Sequence, residues 1–392
     1  MPGTFRWLRS GEEALAAMLA AIADAGVSIR LETYIFQGRG IGDTFRTALV
    51  DAARRGVRVQ LMVDAIGSIY LPADYWKPLT EVGGAFKLFN PLSLRRLSYR
   101  NHRKLLVCDD RLAFIGGFNL ADAYNGDGVA QGWRDLGLGI TGSLVPELAR
   151  TFDEIFAPLP ARRRRLQMLN MAKTRLDAAG DRWRLLLSGP GRGGRRLRTV
   201  LRQDILRSRN VKIICAYFLP TWRLRKALAH VCSHGGNVEL LLAGKTDVLI
   251  SQLASRRLYR TLLRSGVKIY EYQPQILHAK LFILDDIVCV GSANLDTRSL
   301  IINHELLVRI EDAKLADEAR EIFAHDLAYS RRIEREAWRS SRTLPVRALE
   351  WLAYFVLVHV DPYLARLQLR LFRTPRQSGQ TPSRASAASS AR

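Results

Sequence analysis

Cysteine is scarce. The chain has four cysteines in 392 residues, and none falls in a Cys-x-x-Cys pair. That argues against a zinc ribbon or a disulfide framework. Cys108, Cys215 and Cys289 sit inside apolar runs (LLVCDD, VKIICAYF, IVCVGS), where a reduced thiol serves as a small apolar side chain. Long apolar runs are missing too. No stretch reaches the roughly 18–20 residues that a helix needs to cross a bilayer. The Ala-rich run from Ala14 to Ala23 is bracketed by Glu12, Glu13 and Asp24, so it reads as an ordinary helix and not as a signal peptide. These absences point to a cytoplasmic protein, bound at most to a membrane surface. Acidic residues are also few: 37 against 60 lysines and arginines, for a formal net charge of +23. Such a field favours a polyanion, either nucleic acid or an anionic membrane, and composition does not choose between them.

What is present is a repeat. Residues 27–64 read VSIRLETYIF, a Gly-rich link, then FRTALVDAARRGVRVQLMVD; residues 211–242 read VKIICAYFLP, then WRLRKALAHVCSHGGNVELLL. Each is an apolar strand, a helical stretch, a glycine and a second apolar strand. That is a βαβ unit, which implies parallel pairing. Further on, NHRKLLVCDDRLAFIGGFN (101–119) parallels LHAKLFILDDIVCVGSAN (277–294). The expectation is an α/β protein built as two tandem copies of one domain, 1–158 and 181–335, with mixed, mainly parallel sheets. A basic linker, 159–180, carries Arg162 to Arg165. Residues 336–373 contain WLAYFVLVHV and then LARLQLRLFR, with arginines 366, 370 and 373 on one stripe and leucines 364, 367 and 371 on another. An interfacial amphipathic helix has this pattern, and so does a helix docked on a core. Residues 374–392 have the composition of a disordered tail.

The chemistry resides in the duplicated segment. Taken as a strand, NHRKLLVCDD points His102 and Lys104 to one face and Arg103, Leu105 and Val107 to the other. His278 and Lys280 repeat the arrangement, and only seven histidines are available in the whole chain. Paired imidazoles and ammonium groups suit phosphoryl transfer. Lysines 104 and 280 balance the phosphate charge. One neutral histidine attacks phosphorus, and the other, protonated, donates to the leaving alkoxide. No metal or other cofactor is needed, and a lysine two residues from each histidine would repel a cation. Asp109 and Asp285 stand at an odd offset from the histidines, which places them in a turn behind the catalytic face. Asn119 and Asn294 are candidate phosphate donors. Asp135 and Glu305 are candidate carboxylates to orient the imidazoles.

HRKLLVCD and HAKLFILD, with their Gly-x-x-Asn tails, resemble the twin HxK(x)4D motifs of the phospholipase D superfamily, and the resemblance covers nearly all of residues 5–325. ETYIF, AARRGVRVQLMVDAIGS, GWRDL, AYFLP and VGSANLDTRSLIINHE narrow it to the bacterial cardiolipin synthases. HGGNVELLLAG in place of the usual basic turn, and AYFLP without a proline before Tyr217, are small departures. The usual long form begins with two membrane-spanning helices, and this chain resembles the shorter, peripheral branch. The resemblance implies two phospholipase D-like α/β domains sharing one active site at their interface. It places Asp109 and Asp285 in the catalytic motif, with His102 as nucleophile and His278 as acid and base. It implies transfer of a phosphatidyl group from phosphatidylglycerol to phosphatidylglycerol or phosphatidylethanolamine at the cytoplasmic face of the inner membrane, without nucleic acid. A hydrolase releasing phosphatidate and a nuclease of the same fold are the rival readings.

Overall fold

The computed structural model describes residues 3–91, 99–157, 182–189 and 193–365. The basic linker, the tail and all three arginines of the C-terminal basic stripe lie outside the described residues.

Apolar runs form the strands and the amphipathic stretches between them form helices. In the first half these are β1 (Phe5–Leu8), β2 (Ser28–Thr33), β3 (Arg58–Asp64), β4 (Ala85–Phe89), β5 (Leu105–Cys108), β6 (Leu112–Gly116) and β7 (Gly137–Thr141). The second half contributes β8 (Trp183–Ser188), β9 (Asn210–Cys215), β10 (Asn237–Ala243), β11 (Lys268–Tyr272), β12 (Lys280–Leu284), β13 (Ile287–Gly291), β14 (Glu305–Glu311) and β15 (Ser330–Arg332). The first sheet runs β1-β7-β6-β5-β2-β3-β4. The second repeats that order strand for strand, β8-β14-β13-β12-β9-β10-β11, and adds β15 at its edge. This is the architecture of a duplicated domain.

The sheets are mixed, but mainly antiparallel, which corrects one expectation. Among the described strands, only β2–β3–β4 and β9–β10–β11 are parallel. The crossovers carrying helices Ile41–Arg54 and Trp222–Ser233 allow it. The connection 109–111 is too short for a crossover, so β5 and β6 pair antiparallel. The same holds for β12 and β13. Asp109 and Asp285 make these turns with positive φ, 56° and 50°, a region aspartate tolerates better than most side chains.

Central strands are buried on both faces because helices cover one side and the other half covers the other. One apolar cluster crosses between halves: Leu105, Val107 and Leu138 from the first meet Leu281, Val290 and Val308 from the second. Helices Leu144–Phe156 and Ala313–Ala328 complete it through Phe152 and Phe323. Backbone bonds also stitch the halves. His102 N donates to His304 O at 3.0 Å, and His278 N to Arg134 O at 2.7 Å. The seam of the molecule therefore runs through both His-x-Lys segments.

After β15, the helix Leu344–Phe355 packs along the helix Leu249–Arg264 and buries Glu350 and Ala353. Its other face leaves Leu349, Trp351, Leu352 and Phe355 exposed. One face of this helix thus docks on the body of the protein and the other is exposed. Among the described residues no helix is long and apolar enough to cross a membrane. All four cysteines are free, with Cys108, Cys215 and Cys289 buried.

Candidate active site

Each His-x-Lys segment runs into the central strand of its sheet. Lys104 directly precedes β5, and Lys280 opens β12. Alternation puts the intervening residue on the opposite side. Arg103 is buried there against Glu32, with Nη2 to Oε1 at 2.8 Å. His102 and His278, arriving from opposite halves, face each other with ring centroids 6.5 Å apart. A tetrahedral phosphorus fits between two imidazoles at such a spacing.

The orienting carboxylates are exchanged between halves. Glu305 of the second half accepts from His102 Nδ1 at 3.1 Å, and Asp135 of the first half meets His278 Nδ1 at 2.6 Å. The cause is the backbone stitching: Asn101 bridges His304, and Arg134 bridges Leu277, so each carboxylate is carried beside the other half's histidine. Carboxylate contact at Nδ1 leaves Nε2 as the reactive nitrogen. Ser292 Oγ donates to Glu305 at 2.5 Å. Its counterpart in the first repeat is Gly117, where any Cβ would stand 2.2 Å from Asp135 Oδ1.

The electrostatics follow from burial. Burial pulls the His278 imidazole down to about 3, with the Lys280 charge adding to the effect against Asp135. His102 is also lowered by burial, against the pull of Glu305. Burial alone would raise Asp135 and Glu305, yet the facing imidazoles hold both below the usual range. Burial and the like charge of Lys280 bring Lys104 down to about 7. Lys280 Nζ lies 2.8 Å from His278 Nδ1, and Lys104 Nζ donates to His102 O at 2.8 Å. The two ammonium groups therefore stand behind the histidines and not on the cavity wall.

The histidines open on a cavity of about 380 Å³. Asn119 and Asn294 line it, each tied down by its Oδ1: Asn119 accepts from Ile35 N at 3.1 Å and Asn294 from Tyr217 N at 3.4 Å. Asn119 Nδ2 is already engaged by the Tyr124 hydroxyl at 2.6 Å, so Asn294 is the freer phosphate donor.

With this geometry in place, comparison with known proteins is decisive. Residues 18–156 and 201–327 match the family described as "Cardiolipin synthase, PLD-like domain". The chain belongs to the cardiolipin synthase family of phospholipase D-like enzymes. It is 32% identical to cardiolipin synthase B of Salmonella typhimurium over 312 residues, covering 78% of this chain and 76% of that one. It is 30% identical to cardiolipin synthase 1 of Bacillus cereus, covering 88% and 70%. The fold matches the crystal structure of a phosphatidylserine synthase from Haemophilus influenzae with a TM-score of 0.74 at 16% identity, over 93% of this chain and 97% of that one.

Within this phospholipase D-like site, the structure sets Asp109 and Asp285 apart. The motif places them with the catalytic residues, but they lie at the far end of their strands. Asp109 accepts from the N–H groups of Gly26, Val27 and Ser28 at 2.8–2.9 Å. Asp285 accepts from those of Arg209 and Asn210 at 2.9 and 2.8 Å. Each clamps the entry to the neighbouring strand, because an odd offset turns it away from the histidine and the hairpin turn carries it outward. Sequence reasoning missed the remaining walls. Tyr34, Tyr124, Trp133 and Tyr217 surround the imidazoles. Arg100, held by Asp64 at 3.4 Å, and Arg298 add cations. Asp296, beside Arg298, is pushed up to about 6 by burial. Leu357 and Asp361 roof the cavity from the C-terminal segment, where Asp361 Oδ2 accepts from Arg298 Nε at 2.8 Å. The duplicated tyrosines at ETY and AY were the available signal; Asp361 had none, because its partner is distant in sequence.

Proposed function

We infer that the chain is a phosphatidyltransferase that makes cardiolipin. The donor is phosphatidylglycerol and the acceptor is the glycerol hydroxyl of a second phosphatidylglycerol. The crosswise pairing of each histidine with a carboxylate of the other half carries this reading, because it equips one cavity with two oriented imidazoles. His102, the more open of the two at 12% exposure against 4% for His278, attacks phosphorus through Nε2. The phosphorus–oxygen bond to glycerol breaks, and the leaving oxygen takes a proton from His278. The acceptor hydroxyl then gives its proton to His278, and its oxygen attacks the phosphohistidine and frees His102. The net result is two phosphatidylglycerols converted to cardiolipin and glycerol.

Burial disfavours the imidazolium in the empty site, but a bound diester brings the negative charge that restores it. The lysine charges reach the phosphate from behind the rings through a medium of low dielectric, where screening is weak. Asn294 supplies a hydrogen bond. Asp109 and Asp285 take no part beyond holding their strands. The apolar rim, where Val248 and Leu357 line the mouth and Leu249 and Leu352 stand exposed beside it, suits lipid chains better than bases. The enzyme accordingly works as a peripheral protein on the cytoplasmic face of the inner membrane.

The test is incubation with labelled phosphatidylglycerol in vesicles and separation of the lipid products. Cardiolipin is the expected product. Phosphatidate alone would replace the synthase with a hydrolase, and DNA cleavage without lipid turnover would replace it with a nuclease.

A further inference from the structure

Away from the active site, the C-terminal helices enclose a second cavity, of about 390 Å³, against the helix Leu249–Arg264. Eight arginines and two glutamates line it, together with Trp338 and Trp351. Arg257, Arg260 and Arg264 recur at helical spacing and so share one face of that helix. Arg339, Arg342 and Arg347 come from the C-terminal elements. Like charges gathered around one cavity repel each other unless an anion joins them.

The protein's own carboxylates supply only part of that charge. Arg256 is drawn off to Glu271 at 3.0 Å, and Arg342 stands 3.4 Å from Glu350. Among the described residues no carboxylate pairs with Arg257, Arg260 or Arg264. Arg342 lies over the Trp338 ring at 3.4 Å from its centroid and keeps a buried Nε without a hydrogen-bond partner. That buried donor and the arginines without a carboxylate partner call for a ligand that carries an anionic oxygen. The cavity also has an apolar side. Trp351 lines it while 54% exposed and stacks on Phe355, which is 42% exposed. A lipid can thus set its phosphate among the arginines and lay its chains along the free face of the same helix.

We propose that this cavity is a second phosphate site, which takes the phosphate headgroup of an anionic phospholipid and is separate from the catalytic one. It stands independently of the reaction assigned to the histidines. The helix that forms its wall, Leu344–Phe355, continues through Leu357 to Asp361 at the mouth of the active site. A lipid bound here holds that helix, and with it the roof of the catalytic cavity, against the membrane.

The test compares two double variants of the full chain that remove equal charge. One is Arg257→Gln with Arg260→Gln in the cavity. The other is Arg39→Gln with Arg58→Gln, two exposed residues of the first half. Co-sedimentation is measured with phosphatidylcholine vesicles containing phosphatidylglycerol, and calorimetric titration with glycerol 3-phosphate. The cavity pair is expected to weaken vesicle binding about 10-fold and the surface pair less than about 2-fold. Turnover of detergent-dispersed lipid stays at the wild-type rate in both, which also shows that both fold. Equal weakening by the two pairs overturns the proposal and leaves a diffuse basic surface. Loss of glycerol 3-phosphate binding with vesicle binding unchanged also overturns it, in favour of a soluble phosphate ester.

Discussion

Lys104 carries a charge that is lost near neutral pH, since burial and Lys280 bring its ammonium down to about 7. Below that value it is protonated and stabilises the diester; above it the site loses one positive charge. On this account kcat/KM falls as pH rises through about 7. Lys104→Arg keeps a cation at every accessible pH and moves the alkaline limb upward, even at a lower rate. A pH–rate profile whose alkaline limb is the same in both proteins would remove Lys104 from the phosphate. The carboxylates separate in the same way. Asp135→Asn unsettles the His278 tautomer and is expected to lower kcat by ~10²-fold or more with little change in Tm. Asp285→Asn loses the clamp on the N–H groups of Arg209 and Asn210. It should cost about 1–3 kcal/mol of stability, with the rate per folded molecule retained. Denaturant melts and single-substrate kinetics on both variants tell the roles apart.

Among the elements, the C-terminal segment acts as a roof. Its ion pair from Asp361 to Arg298 ties it to the loop between β13 and β14. Arg298→Gln loosens the roof, and the expected result is a KM raised about 10-fold with kcat within about 2-fold, read by Michaelis kinetics on detergent-dispersed lipid. A fall in kcat alone would make Arg298 part of the chemistry instead. The sequence made the catalytic strands legible because two spaced copies of His-x-Lys restrict both register and face. It made Asp135 and Glu305 visible as carboxylates, but not their exchange between halves, which depends on bridges at Asn101 and Arg134 that leave no local pattern. The sheets were read as mainly parallel because buried apolar runs look alike in either direction; only the crossovers at β2–β4 and β9–β11 are parallel. The roof was legible as amphipathic, yet which face docks depends on Leu249–Arg264.

At the scale of the whole molecule, neither half holds a catalytic-motif histidine together with the carboxylate that contacts it. The apolar seam and the backbone stitches at His102 and His278 hold the two repeats in register, and each repeat lends its carboxylate to the other. The net charge of +23 suits anionic substrates, and the roof of the site carries exposed apolar side chains. Both halves together build a single candidate catalytic unit. The most direct measurement is turnover of labelled phosphatidylglycerol by His102→Ala and by His278→Ala, each folded as shown by its melting curve. Either substitution alone is expected to lower the rate by ~10³-fold or more, because neither imidazole replaces the other. A variant that keeps about half of the wild-type rate would mean two independent sites and would contradict the single unit.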